Sequence, residues 1–198
     1  MKVIMINGSP HVKGTTYVAL HEMEKIFNEN GIDTEILTMG STKIRDCIGC
    51  WKCSELGKCI FDDDMINEWA DKIYEADGIV VGTPIYYAPP SGQVLSLLDR
   101  LCISRGKAFE HKVTASITVG RRAGATATLD VINKHFLGMN AIVVGSSYWN
   151  LAYGRTPEEV VNDKEGLQTM RNVAKNMSWV LTAIDGAKTQ GVEKPVLE

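Results

Sequence analysis

Short apolar runs alternate five times with longer stretches of helical period, and this alternation constrains the fold of the chain more than any other feature. The runs at 2–6, 33–39, 78–84, 112–120 and 141–149 read as strands. Apart from its lysine the first, KVIMI, is continuously apolar, as expected of a strand covered on both faces. The segments 15–30, 62–76, 91–105, 125–138 and 165–183 read as helices. In the third of these, Val94, Leu97, Leu98 and Leu101 share one face. Asp62, Asp63 and Asp64, at the start of the second, read as capping, solvated carboxylates. The pattern predicts an α/β fold: a doubly wound five-stranded parallel sheet with helices on both faces, joined by right-handed crossovers. A length of 198 residues suits one domain over 1–198, and 44% hydrophobic residues are enough to build its core. The polar end, KTQGVEKPVLE, reads as a loose or partner-clasping tail.

Charge and hydropathy remove several classes of function. A net charge of -3 argues against nucleic acid or an anionic membrane as a partner. No apolar run reaches the roughly eighteen residues of a membrane-spanning helix. The apolar run at the N-terminus is too short for a secretory signal, so a cytoplasmic location is expected, where thiols stay reduced.

In doubly wound sheets, ligands bind outside the carboxyl ends of the strands. The loop after the first strand, NGSPHVKGTT, offers backbone amides at a helix start and the hydroxyls of Ser9, Thr15 and Thr16, which suit a phosphate. Its glycines match neither the mononucleotide loop nor the dinucleotide fingerprint, which leaves flavin mononucleotide. The loop after the third strand, TPIYYAPPSG, supplies Tyr86 and Tyr87 as flat cover for an isoalloxazine ring. The loop after the fourth, GRRAGAT, places Arg121 and Arg122 where they would favour a reduced, anionic flavin. The blander alternatives are a tight turn, interface aromatics and a solvated basic loop.

Between the second strand and the second helix, a Cys-rich loop at 44–61 contains CIGCWKCSELGKC, with four of the five cysteines of the chain. In a reducing compartment a structural disulfide framework is disfavoured, and metal binding or redox chemistry gains. The close spacing resembles the ferredoxin run and lacks the two separated pairs of structural zinc. A [4Fe–4S] cluster, zinc, redox thiols and ordinary thiols all remain open on spacing alone. Trp51 reads as a shield for such a centre or as a subunit contact. Cys102 reads as a packed core or interface thiol. The four histidines show no metal-site spacing.

The motifs INGSP, DDM, GTPIYY, LLDR and EGLQT, taken with the cysteine array, resemble the flavodoxin-like NAD(P)H-dependent FMN reductases, and within them the iron–sulfur flavoproteins. The resemblance runs over nearly the whole chain, and the cysteine array is its discriminating part. It implies a flavodoxin-like fold and an FMN-dependent oxidoreductase. FMN would be held by Ser9, His11, Lys13, Gly14, Thr15 and Thr16, by Pro84, Ile85, Tyr86 and Tyr87, and by Gly120, Arg121 and Arg122. A [4Fe–4S] cluster would be held by Cys47, Cys50, Cys53 and Cys59. Implied partners are NAD(P)H or a redox protein such as reduced ferredoxin as donor, a small-molecule or protein acceptor, and further copies of the chain in a homodimer or homotetramer. His11 stands where the family often has arginine, and GRRAGATAT lacks the usual Gly-Gly and Gln-Glu. An FMN or quinone reductase without a cluster and a non-enzymatic electron carrier are the alternatives.

Overall fold

The computed structural model describes residues 1–196. Its strands are β1 (Lys2–Asn7), β2 (Asp33–Thr38), β3 (Gly78–Pro84), β4 (Val113–Gly120), β5 (Ile142–Val143) and β6 (Leu151–Tyr153). The helices are α1 (Thr15–Glu29), α2 (Cys53–Leu56), α3 (Ile66–Glu75), α4 (Gly92–Arg105), α5 (Ala125–Gly138), α6 (Pro157–Asn162) and α7 (Lys164–Thr189). The sheet is parallel in the order β2-β1-β3-β4-β5, and β6 also pairs with β4. The expected doubly wound sheet is present, with one short strand added.

Strand periodicity divides the core between two faces. Val3, Met5, Val80, Ala115 and Ile117 pack under α1 and α7. Ile4, Ile6, Ile79 and Val81 pack under α3, α4 and α5. On β4 the second face is polar and internally satisfied. Ser116 Oγ donates to Asn133 Oδ1 at 2.6 Å, and Thr118 Oγ1 to the Thr83 carbonyl at 3.1 Å.

Three expectations need correction. The strand expected over 141–149 breaks after Val143. Asn150 then takes over the pairing of the lost strand: its Nδ2 donates to the Ser116 carbonyl, and its own carbonyl accepts from Thr118 N–H, both at 3.1 Å. Residues 145–149 loop outward, with Tyr148 and Trp149 exposed. The helix expected over 62–76 begins only at Ile66, because Asp62 and Asp64 are engaged in side-chain contacts of the preceding loop. Asp64 is therefore buried rather than solvated, although its Oδ1 still accepts from Ile66 N–H at 3.2 Å. The last helix runs on to Thr189, and α6 precedes it, capped by the Thr156 hydroxyl with Pro157 in its first turn. Of the expected tail, Val192 to Pro195 close an apolar cavity against Ile142 and Ile184, and Leu197 and Glu198 lie outside the described residues. Among the described residues, no helix is long and apolar enough to cross a membrane.

Candidate functional site

Because β1, β3 and β4 are neighbours, the three loops singled out by sequence leave one edge of the sheet side by side. Gly8 N–H donates to the Gly82 carbonyl at 2.8 Å, and Ser91 Oγ at the start of α4 donates to the Gly8 carbonyl at 3.3 Å. A Cβ on Gly8 would lie 2.2 Å from Val94 Cγ2, so only glycine allows this approach. The turn then winds on itself. Ser9 N–H donates to Asn7 Oδ1, and His11 N–H to Ser9 Oγ at 3.1 Å.

No side chain caps the start of α1 at Gly14, so the first-turn amides of Thr15 and Thr16 stay open to an anion. Thr16 Oγ1 is fully buried and has no partner, an orphan that a phosphate oxygen would satisfy. Ser9 is buried beneath the turn, whereas His11 and Lys13 are exposed at its rim. These residues fit a bound phosphate.

The second loop is a tight hairpin. Ile85 bridges Pro90, and Tyr86 N–H donates to the Pro89 carbonyl at 3.0 Å. Its tip residues, Tyr87 and Ala88, have φ of 52° and 82°, a left-handed conformation that costs non-glycine residues free energy. Tyr87 projects fully into solvent. The hairpin leans on the third loop, where Ile85 Cδ1 lies 2.3 Å from where a Cβ on Gly120 would be. Gly124, at φ 87°, lets Ala88 approach similarly. Arg121 and Arg122 are exposed on that loop. Beyond it lies a cavity of about 290 Å³, lined by Thr126, Tyr148, Trp149, Tyr153, Glu165 and Thr169 among others. None of the expected site residues lines it.

The four clustered cysteines meet on the outer side of α4. Cys47, Cys50, Cys53 and Cys59 all line one small cavity of about 20 Å³, together with Trp51, Phe61, Arg100 and Ile103. Such a volume admits about one water molecule. Among the described residues, no three His, Cys, Asp or Glu side chains stand close enough together to hold a metal ion. The donor set thus fits a tetrathiolate centre in chemistry, while the thiols as they stand share one small cavity without being gathered into a ligand set. Trp51, at φ 58°, lines the cavity but leaves 68% of its surface in solvent.

Two residues that sequence reasoning passed over fix this loop. Asn67 Oδ1 accepts from Cys59 N–H, and its Nδ2 donates to the Cys59 carbonyl, both at 3.0 Å. Asn67 also bonds Asp62 and, with Lys58, holds that carboxyl below its ordinary pKa. Arg100, only 1% exposed, pairs with Asp64 and donates to the Arg45 and Phe61 carbonyls and to Cys59 Sγ at 3.2 Å. Burial opposes its charge, but the bonds to Asp64 and Cys59 outweigh that and raise its pKa. The only signal for Arg100 was its place in LLDR. Cys102 sits apart from the cluster, and burial, with Asp99 nearby, pushes its thiol up to about 12.

The profile of the family described as NADPH-dependent FMN reductase matches residues 1–156. The chain belongs to that family. Relatives of this chain include an iron-sulfur flavoprotein of Methanocaldococcus jannaschii, 37% identical over 93% of this chain and 99% of the relative. An iron-sulfur flavoprotein of Methanosarcina thermophila is 30% identical over 93% and 97% respectively. A solved structure of a flavodoxin from the domain Archaea superposes with a TM-score of 0.63 at 13% identity, covering 92% of this chain and 99% of that one. That likeness speaks to the fold alone, which is flavodoxin-like. Family membership makes the chain an FMN-dependent oxidoreductase, so the reading as a non-enzymatic carrier is set aside.

Proposed function

We propose that this chain is an iron–sulfur flavoprotein that takes electrons from NAD(P)H or a reduced redox protein and passes them between FMN and a [4Fe–4S] cluster. The observation that carries the reading is that four thiols line one cavity against α4, the helix whose other end supports the phosphate turn. Ser91 and Arg100 are nine residues apart, a helical rise of roughly 14 Å. When bound, FMN supplies two-electron chemistry divisible into single electrons, and a cubane supplies a one-electron relay.

In this reading residues 1–198 act as one FMN-binding unit. The α1 amides, Ser9, Thr15 and Thr16 hold the phosphate, and Lys13 and His11 stand at its rim. Residues 84–87 cover the ring, and Gly120, Arg121 and Arg122 offer an edge that favours negative charge there. Cys47, Cys50, Cys53 and Cys59 hold the cluster as the loop gathers around it. No side chain has to act as nucleophile or general base. A homodimer or homotetramer is part of the proposal, supported by the exposed aromatics Tyr87, Tyr148 and Trp149 along the ligand edge.

The test is anaerobic reconstitution with iron and sulfide, followed by assay of FMN, iron and sulfide per chain. The reading expects about four iron and four sulfide, both lost in Cys53→Ser while FMN stays. A second reading, an NAD(P)H-dependent FMN or quinone reductase without a cluster, is favoured by the absence of three mutually close ligands among the described residues. Reconstituted protein with FMN but only traces of iron would establish it. Stoichiometric zinc without sulfide would assign the thiols to zinc.

A further inference from the structure

A guanidinium has five N–H donors, and in Arg100 four of them are used. Nη1 donates to Asp64 and to the Arg45 carbonyl, and Nη2 to Cys59 Sγ and the Phe61 carbonyl. The fifth, Nε–H, is buried without a partner. An orphaned donor on a charged group is costly in a protein interior and calls for an acceptor. Arg100 lines the cavity of the four thiols, whose other walls are mainly apolar. Its remaining surroundings already take up every other donor it has.

We infer that Arg100 is a positioning residue for the centre in this cavity: it fixes Cys59 by an N–H···S contact, supplies Nε–H as a further donor, and raises the reduction potential of the site. The inference rests on the cluster reading. The one-electron couple adds one negative charge to a site already ringed by thiolates, with no bond or proton moved. The electron comes from the reductant of the flavoenzyme. A buried cation held against Cys59 Sγ favours the more negative state, and the low dielectric strengthens the effect. Asp64, on the far nitrogen of the same guanidinium, partly offsets it.

Two variants therefore move the potential in opposite directions. In reconstituted Arg100→Gln the cation is gone and Asp64 is left behind. The reduced-to-oxidised ratio of the cluster at a fixed potential should fall at least tenfold, about 59 mV for one electron. In Asp64→Asn the offset is removed and the ratio should rise. Arg100→Lys, which keeps the charge, should lie nearer to wild type. A residue that merely stapled the loop would not give shifts of opposite sign. Bound FMN and the circular dichroism spectrum serve as fold controls.

If neither variant assembles a cluster, the wild-type protein still decides. With [15N]arginine incorporated, pulsed EPR of the reduced cluster should show a nitrogen coupling that persists in Arg45→Lys and Arg105→Lys. Absence of that coupling, or potentials unmoved in the variants, overturns the inference and leaves the cluster standing. Wild-type protein that binds no iron and sulfide overturns both together.

Discussion

The hydroxyl of Thr128, in the second turn of α5, donates to the carbonyl of Ala88 at 2.5 Å. A helix that begins at the third loop thereby holds the strained tip of the second. Thr128→Val keeps the shape and removes the bond. Losing one such bond costs about 1 kcal/mol, so FMN should bind roughly fivefold more weakly. Titration of cofactor-free protein with FMN, followed by flavin fluorescence, checks this.

The uncapped start of α1 makes a second prediction separable from folding. A carboxylate in the first turn of a helix favours the helix by up to about 1 kcal/mol. Two like charges about 4 Å apart near a protein surface repel by about 4 kcal/mol. Thr15→Glu should therefore melt at or above the wild-type temperature without cofactor, yet lose about two to three orders of magnitude in FMN affinity. Unchanged affinity would place the phosphate elsewhere.

The thiols differ in reactivity for a physical reason. With its thiol pushed up to about 12, Cys102 carries almost no thiolate at pH 8. Iodoacetamide should modify the exposed Cys50 of the cofactor-free protein and spare Cys102 until denaturant is added. Peptide mass spectrometry distinguishes the two.

Acid should loosen the pairing of α1 with α7. Burial raises the Glu22 pKa, but hydrogen bonds from Lys25 and Arg171 outweigh it and hold the carboxyl below its ordinary 4.5. A carboxyl depressed in the folded state stabilises above its unfolded pKa and loses that contribution as pH falls through the folded one. The bridge is partly exposed and contributes about 0.5–1 kcal/mol. The melting temperature of Glu22→Gln should lie below that of wild type at pH 6, and the gap should close below pH 4.5.

Much of this architecture was legible because it rests on burial. Strands covered on both faces, such as Ile79, Val80 and Val81, must be apolar throughout, and the order of strands and helices then brings the three loops together. The parts that escaped depend on single contacts. Asn67 and Arg100 are ordinary surface types on a helix until the folded-back loop buries them. The left-handed tip at Tyr87 and Ala88 carries no glycine to announce it. The break after Val143 is different, because Gly145, Ser146 and Ser147 interrupt the apolar run. So is α6, where Thr156 and Pro157 form a readable helix start.

The cysteine loop leaves the sheet after β2 and meets the rest of the molecule mostly on one helix. Gln93 reaches the Thr42 carbonyl, Ser96 reaches Asp46, Arg100 reaches Arg45, and Arg105 reaches the Gly57 carbonyl. These four residues are spaced along one side of α4, three to five apart. The segment is therefore a cassette with a single mounting rail. Any exchange of residues 40–64 must carry that four-residue stripe and Asn67 with it, because these side chains supply the polar anchors of the loop.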